Sequence, residues 1–356
     1  MEHRIEALRG ALPQGVDAAL IAGGVNRAYY TGFSSSAGYL FVARQGAVLL
    51  VDGRYIEAAQ TGAHGCEVRL LGELAEQVDA LCAETGARTV GVDADQWSVW
   101  DFCRLRDAMR ATLLETAQTA QLIRRQRAHK SEEEFGCLRR AQAIGDAVFA
   151  AVLPQIRPGM TDRDLQRLLN ELFIEKGAQR AAHEFLVVCG PDTSYPHGKP
   201  SGRRLEKGDF VLMDMGTTID GYWGDMTRTV LLGRAAPKQR LVYKTVQAAQ
   251  QAAFDAVRVG VPCREVDAAA RGVIERAGFG AYFGHGLGHS LGLDVHEDPR
   301  FNQKDTSPVC PGMAITVEPG IYLPGEFGVR IEDTILIHED GRVENITHSP
   351  HGLIEL

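Results

Sequence analysis

The feature that most constrains this chain is a repeat of its own sequence. The stretch IRPGMTDRDLQRLLNELFIEKG, from Ile156, is matched 101 residues on by VRVGVPCREVDAAARGVIERAGFG, from Val257. Each reads as a helix end, a glycine turn, a polar cap and a further helix. LEKGDFVLMDMG then aligns with VCPGMAITVEPG when Gly208 is set on Gly312, which places Asp214 on Glu318. The next acidic strand of each half sets Asp225 against Glu332. Two like halves related by a pseudo-twofold are expected, with the paired strands aiming their acidic side chains at one central point.

Those acids sit in surroundings that penalise them. Asp214 lies inside VLMDMG, an apolar run that otherwise reads as a buried strand, so it needs a cation or a proton. Asp225 in WGDMTRTV and Glu332 in VRIEDTIL occupy similar β-rich runs, and Glu318 ends AITVEPG just before a proline. Two divalent ions sharing bridging carboxylates would neutralise the cluster and activate a bound water, which describes a hydrolase site. A fifth ligand is expected from the glycine-rich GHGLGHSLGLDVHE, which contains His285, His289 and His296. Its glycines permit close backbone approach. Any one of these residues alone reads as a satisfied buried group; the set carries the signal.

With 356 residues the chain exceeds the usual single core, and two domains are expected, 1–125 and 126–356. The first alternates short β-rich runs (ALIAGG, YLFVA turning through Arg44-Gln45-Gly46 into AVLLV, EVRLL, TVGVDA) with helical stretches such as LGELAEQVDALCAETG and WSVWDFCRLRDAM, the pattern of an α/β domain. Gly23-Gly24 is followed by no G-x-G-x-x-G and reads as a plain turn. Ser131 and Glu134 form a capping-box pattern, after which Phe135, Leu138, Ile144 and Val148 recur at helical spacing. A net charge of −8 argues against a nucleic-acid partner and favours a small or peptidic one. The N-terminal MEHRIEALRGALPQG reads as an amphipathic helix without a signal core, and no apolar run is long enough to span a bilayer, so cytoplasmic residence is expected. The seven cysteines are scattered without a C-x-x-C pair, and each is expected to be a small buried free thiol.

The order Asp214, Asp225, His289, Glu318, Glu332, in the contexts MDMG, GDMTRT, GHGLGHSLGLDVHE, VEPGIY and VRIED, closely resembles the pita-bread metallopeptidases over about residues 130 to 350. That family includes methionine aminopeptidase, aminopeptidase P and prolidase. YYTGFSSSAGYLFV and LLVDGRYIEAA in turn resemble the N-terminal domain of aminopeptidase P and prolidase, which methionine aminopeptidases generally lack. The resemblance implies an α/β N-terminal domain followed by an α+β pita-bread catalytic domain. It also implies two divalent ions on the five residues named. The oxygen-rich ligand set suits manganese, with cobalt, iron or zinc as alternatives. The implied reaction is hydrolysis of an Xaa-Pro bond, in dipeptides or at the N-terminus of longer peptides, by a hydroxide bridging the metals. TGFSSSAG and DGRY lean toward aminopeptidase P.

By the same resemblance Glu318 is both ligand and proton shuttle, His197 and His296 face the scissile bond as donors to its carbonyl oxygen, and His285 lines the proline pocket. Arg330 shares strand parity with Glu332 and is expected to orient an acidic ligand such as Asp214. Tyr322, four residues after Glu318, is expected to hydrogen-bond near the reacting groups, and Trp223, Phe185 and Tyr195 are candidate walls of an apolar pocket, with core packing the favoured reading of each. The implied partner is a small peptide with proline at its second position, and the implied assembly a homodimer. The alternatives are a methionine aminopeptidase-like hydrolase and a peptide-binding member of the fold that has lost the chemistry.

Overall fold

The computed structural model describes residues 2–181 and 186–356. It divides into two units, Met1–Arg127 and Ala128–Leu356. The first contains α1 (Glu2–Ala11), β1 (Ala18–Ile21), α2 (Gly24–Thr31), β2 (Tyr39–Ala43), β3 (Gly46–Val51), α3 (Ile56–Gly62), β4 (Glu67–Leu70), α4 (Leu74–Thr85), β5 (Thr89–Val92), α5 (Val99–Ala108) and β6 (Thr112–Leu114), with α6 (Gln118–Ala128) at its end. One sheet runs β4-β3-β2-β1-β5-β6, antiparallel at β1/β2 and parallel at β1/β5. All of β1 is buried, which is why it reads as a continuous apolar run rather than an alternating one. Gly23-Gly24, read from sequence as a plain turn, is instead the cap and first residue of helix α2, and this helix start is well held. The Asp93 carboxylate accepts from the N–H groups of Ala22 and Gly23, from Asn26 and from the Trp97 indole. A carboxylate therefore fills the place where a nucleotide loop would cradle a phosphate.

The second unit opens with α7 (Glu132–Val152), α8 (Asp162–Glu175), β7 (Arg180–Ala181), β8 (Leu186–Cys189), β9 (Phe210–Ile219) and β10 (Tyr222–Leu231). It continues with α9 (Pro237–Ala256), α10 (Cys263–Arg276), β11 (Gly288–Ser290), β12 (Glu297–Phe301), β13 (Ala314–Val317), β14 (Gly320–Leu323), β15 (Phe327–Arg330), β16 (Asp333–Ile337) and β17 (Val343–Asn345). The repeated helices α8 and α10 are each 14 residues long. In the first half, Phe149, Leu165 and Leu169 of the helices pack on Val187, Val211 and Met213 of the β10-β9-β7 sheet, to which β8 is joined through β9. In the second, Val242, Val246 and Val266 pack on Ile315, Val317 and Ile335 of the β12-β11-β13-β16-β17 sheet. Each half thus buries one apolar helix stripe against one sheet face.

Ser131 and Glu134 cap α7 reciprocally. Phe135, Leu138 and Val148 are buried, the first two in the cluster with Tyr222 and Leu291 and the third in the cluster on which Ile144 packs. All seven cysteines are unpaired; Cys82, Cys189 and Cys263 are buried as expected, whereas Cys66, Cys103, Cys137 and Cys310 are only half-buried, and burial pushes the Cys189 thiol up to about 12. Among the described residues, no helix is long and apolar enough to cross a membrane.

Candidate metal centre

A two-residue turn fixes the first pair of acids. Asp220 (φ 51°) and Gly221 (φ 84°) join β9 to β10, the positive-φ pair of a hairpin whose twist matches its strands. The resulting register sets Asp225 opposite Gly216 and Thr227 opposite Asp214. Opposed residues share a face and alternate residues along a strand return to it. Asp214 and Asp225 therefore lie on one face as diagonal neighbours. In the second half Val317 pairs with Asp333, and the next residues outward are Glu318 and Glu332. The run VRIEDTIL is broken there: Glu332 stands between β15 and β16, and its N–H bonds to Thr227 O of β10. His289 enters from β11, where its N–H donates to Thr316 Oγ1. Glycine is required beside it, since a Cβ on Gly288 would stand 2.0 Å from Thr316 O.

Asp214, Asp225, His289, Glu318 and Glu332 border one cavity of about 240 Å³. Asp225, His289 and Glu332 each bring a ligand atom within 4.8 Å of the others, and His289 Nε2 is 3.4 Å from Glu318 Oε1. His289 Nδ1 faces Ser290 O at 3.1 Å. With the proton on Nδ1, the Nε2 lone pair points at the carboxylates, as a metal-binding imidazole requires. A larger open hollow of about 810 Å³ in the first unit, beside Asp79 and Arg110, holds no comparable cluster among the described residues. Asp79 there is spent on the Arg110 and Ala111 N–H groups.

The carboxylates are short of positive charge. Burial, together with the Asp214 and Glu318 charges, drives Asp225 well above the usual range. Burial and its neighbours Asp225 and Glu318 do the same to Glu332. Burial carries Glu318 up to about 7 despite the opposing Arg330. Burial, then His296, holds His289 down at about 3, so it is a neutral donor of its lone pair. Four acids face one buried guanidinium, and every nitrogen of Arg330 is engaged: Nη2 donates to Asp214 Oδ2 at 2.5 Å, Nε to Thr227 Oγ1, and Nη1 to Pro196 O and Tyr322 Oη. An oxygen-rich, imidazole-bearing cluster with unbalanced negative charge fits divalent cations.

The other candidate residues gather around this cluster. His197, His285, His296 and Arg330 all reach the cavity wall. The His296 ring stands edge-on to His289 at 4.4 Å. Among the described residues neither His197 nor His296 has a ring hydrogen bond, which leaves their N–H groups free to serve a ligand. His285 differs. Its Nδ1 faces Gly286 O and its Nε2 lies 3.0 Å from Tyr322 Oη. With the proton on Nδ1, Tyr322 donates to Nε2 while accepting from Arg330. Tyr322 is 5% exposed and stands behind the wall. Trp223 and Tyr195 do not line the cavity: Trp223 packs on the cluster around Phe135 and Leu291, and Tyr195 is 62% exposed. Phe185 lies outside the described residues.

Sequence reasoning missed four groups. Arg300 and Asn302 of the segment after HEDP line the cavity. Thr227 Oγ1 donates to Glu332 Oε2 at 2.6 Å, and Thr334 Oγ1 to Asp225 O at 3.0 Å. The threonine of each half thus fixes the acidic residue of the other. The signal was present, because Thr227 and Thr334 each stand two residues after the paired acids Asp225 and Glu332.

Two like halves that pool their acids around neutral imidazoles make this a pita-bread metallohydrolase. Residues 136–339 match the profile described as "Metallopeptidase family M24", and residues 4–129 match "Creatinase/Prolidase N-terminal domain". The chain belongs to metallopeptidase family M24, in the branch that carries the creatinase/prolidase N-terminal domain. It is 35% identical over 340 residues to a Pyrococcus horikoshii protein named Xaa-Pro dipeptidase, covering 95% of each chain. A solved Xaa-Pro dipeptidase from Bacillus anthracis superposes with a TM-score of 0.95 at 34% identity, covering 99% of each chain. An X-Pro aminopeptidase structure from Thermotoga maritima gives 0.91 at 30% identity, covering 100% of this chain and 99% of that one.

Proposed function

We propose that the chain hydrolyses the Xaa-Pro bond of short peptides, using two divalent ions held by Asp214, Asp225, His289, Glu318 and Glu332. What supports this most is the convergence of the five residues, with His197 and His296, on one small cavity. Its 240 Å³ is below the roughly 300–1,000 Å³ typical of drug-sized ligands and suits a short peptide end. The named relatives act on Xaa-Pro bonds and match along the whole chain, so neither a methionine aminopeptidase-like hydrolase nor a non-catalytic member is favoured. Of the two Xaa-Pro substrates the dipeptide is preferred in this reading, because Arg300 on the wall can meet a free proline carboxylate.

The ions, when bound, supply Lewis acidity and an activated water. Arg330 holds Asp214 in place while Thr227 and Thr316 fix one oxygen each of Glu332 and Glu318. Glu318 takes the proton of the attacking water and passes it to the departing proline nitrogen. His197 and His296 donate to the carbonyl oxygen as it gains charge. Changing either histidine to Ala should lower turnover by roughly 10²–10³-fold with metal content nearly unchanged; loss of the metals instead would mean a ligand has been mistaken for a donor. Manganese is the proposed metal, a homodimer the proposed assembly, and the cytoplasm the proposed compartment, which suits seven unpaired cysteines.

The deciding experiment compares rates on Xaa-Pro, Xaa-Pro-Yaa and Xaa-Ala peptides, with chelation and manganese or cobalt add-back, and light scattering of the intact chain. Cleavage restricted to proline-containing substrates and lost on chelation is expected. Equal rates on Xaa-Ala peptides, or full activity in metal-free protein, would overturn the proposal.

A further inference from the structure

Lys130 and Glu297 form an ion pair that the chemistry above does not use. Nζ and Oε2 are 2.9 Å apart and the side chains are 1% and 7% exposed. Both charges are withdrawn from water, where a pair adds little net stability over apolar packing. Its value then has to be sought in geometry.

Glu297 directly follows His296. Its other oxygen, Oε1, accepts from the Asp294 N–H, and Asp294 O accepts from the Gly292 N–H. Gly292 lies against the pair, since a Cβ there would stand 2.9 Å from Glu297 Oε1 and 3.0 Å from Lys130 Cε. Lys130 is anchored in turn. Its N–H donates to Gly312 O, in the turn before β13, and the next residue is the Ser131 cap of α7. The segment from Gly292 to Glu297 is therefore closed on itself and tied to a cation from elsewhere in the unit. The side chain it delivers to the cavity is His296. His289 has a further hold that does not involve the pair, its N–H bond to Thr316, although β11 also pairs with β12 at Ser290 and Glu297.

We propose that the Lys130–Glu297 pair is a positioning device that fixes the His296 ring over the reacting carbonyl while touching neither substrate nor ligands. This rests on the role given to His296 above. Freed from Lys130, the segment keeps its strand connections but lets the ring drift, and a misplacement of about 1 Å can cost roughly 10²-fold in rate.

The test uses the full-length, metal-loaded enzyme. Lys130→Met and Glu297→Gln are each made alone and in a His296→Ala background, and kcat, KM and metal content are measured on an Xaa-Pro dipeptide. Hydrogen exchange of residues 291–297 is followed in parallel. Alone, each change should lower kcat roughly 10- to 100-fold, leave KM and metal content near native, and speed exchange in that segment. In the His296→Ala background neither should lower kcat further. Equal losses in both backgrounds, or native kcat despite faster exchange, would reduce the pair to a purely structural contact. A native enzyme inactive on Xaa-Pro dipeptides overturns the function proposed above and this proposal with it. An active native enzyme with unaffected variants overturns this one alone.

Discussion

Asp225→Asn is expected to abolish peptide hydrolysis and at the same time to raise the thermal midpoint of the chelated protein. The two effects have one cause. Asp225 is buried beside Asp214 and Glu318, and their charges together with desolvation push it well above the ordinary carboxylate range. Glu332 is pushed the same way, and Glu318 reaches about 7. A carboxyl group whose folded value exceeds its unfolded one keeps a proton that the unfolded chain releases. Stability of the chelated protein therefore falls as pH rises from the ordinary carboxylate range toward about 7, where Glu318 titrates. Asn has the same shape without the charge, so it removes part of that repulsion, worth roughly 2–4 °C per kcal/mol relieved in a unit of this size. It also removes a residue that would hold the metals. Activity should then fall by more than about 10³-fold, beyond the roughly 10–100-fold typical of losing a group that merely hydrogen-bonds a ligand. Calorimetry in chelator from pH 4 to 8, with metal analysis and rates, tests both halves. Native activity with undiminished metal would sink the ligand assignment, and an unchanged or lowered midpoint in chelator would sink the electrostatic account.

Much of this arrangement can be read from residue order, and what cannot is instructive. The repeat pairs Asp214 with Glu318 and Asp225 with Glu332, and the folded chain brings all four to one cavity. Strand spacing and the Asp220-Gly221 turn are local signals, so β9 and β10 are legible. Which of His285, His289 and His296 faces the carboxylates is not local: it depends on β11 pairing with β13 and on the hydrogen-bond partners of each ring. Tyr322 illustrates the limit. Its distance along the chain from Glu318 is suggestive, but whether it lines the cavity or stands behind it is decided by contacts to His285 and Arg330 from two other segments. Thr227 and Thr334 carry no charge and mimic ordinary strand residues, so only the repeat register separates them from the background. Trp223 and Tyr195 fail as pocket walls because an aromatic side chain in isolation does not declare which surface it covers.

Arg228→Met is expected to destabilise the second unit by about 3–5 kcal/mol, the cost of leaving a buried charge without its partner. Arg228 reads as one polar residue in a β-rich run, yet its side chain is 1% exposed and Nη2 lies 2.8 Å from Asp333 Oδ1, whose side chain is 0% exposed. The guanidinium also donates to Thr227 O, Glu332 O, Ser349 O and Pro350 O. It therefore joins the strand of Asp225, the segment of Glu332 and the C-terminal stretch, with the planar fork that lysine lacks. Asp333 is satisfied from its other side by Asn345 and His351. These partners and Arg228 outweigh burial and hold it below its ordinary range. With a lowered folded value, that contribution is present above the ordinary carboxylate range and is lost as pH falls through it. Removing both charges together, as in Arg228→Met with Asp333→Leu, should recover only part of the loss, because the carbonyls of Glu332, Ser349 and Pro350 still lack this donor, while Thr227 O keeps the Glu332 N–H. Urea titration followed by Trp223 fluorescence, with Trp97 and Trp100 replaced by Phe, reads this unit alone. A midpoint for Arg228→Met within 1 kcal/mol (about fivefold) of native, or full recovery in the double variant, would show that the arginine is a passive occupant. The expected result makes it the fastener that keeps the two acidic halves in register.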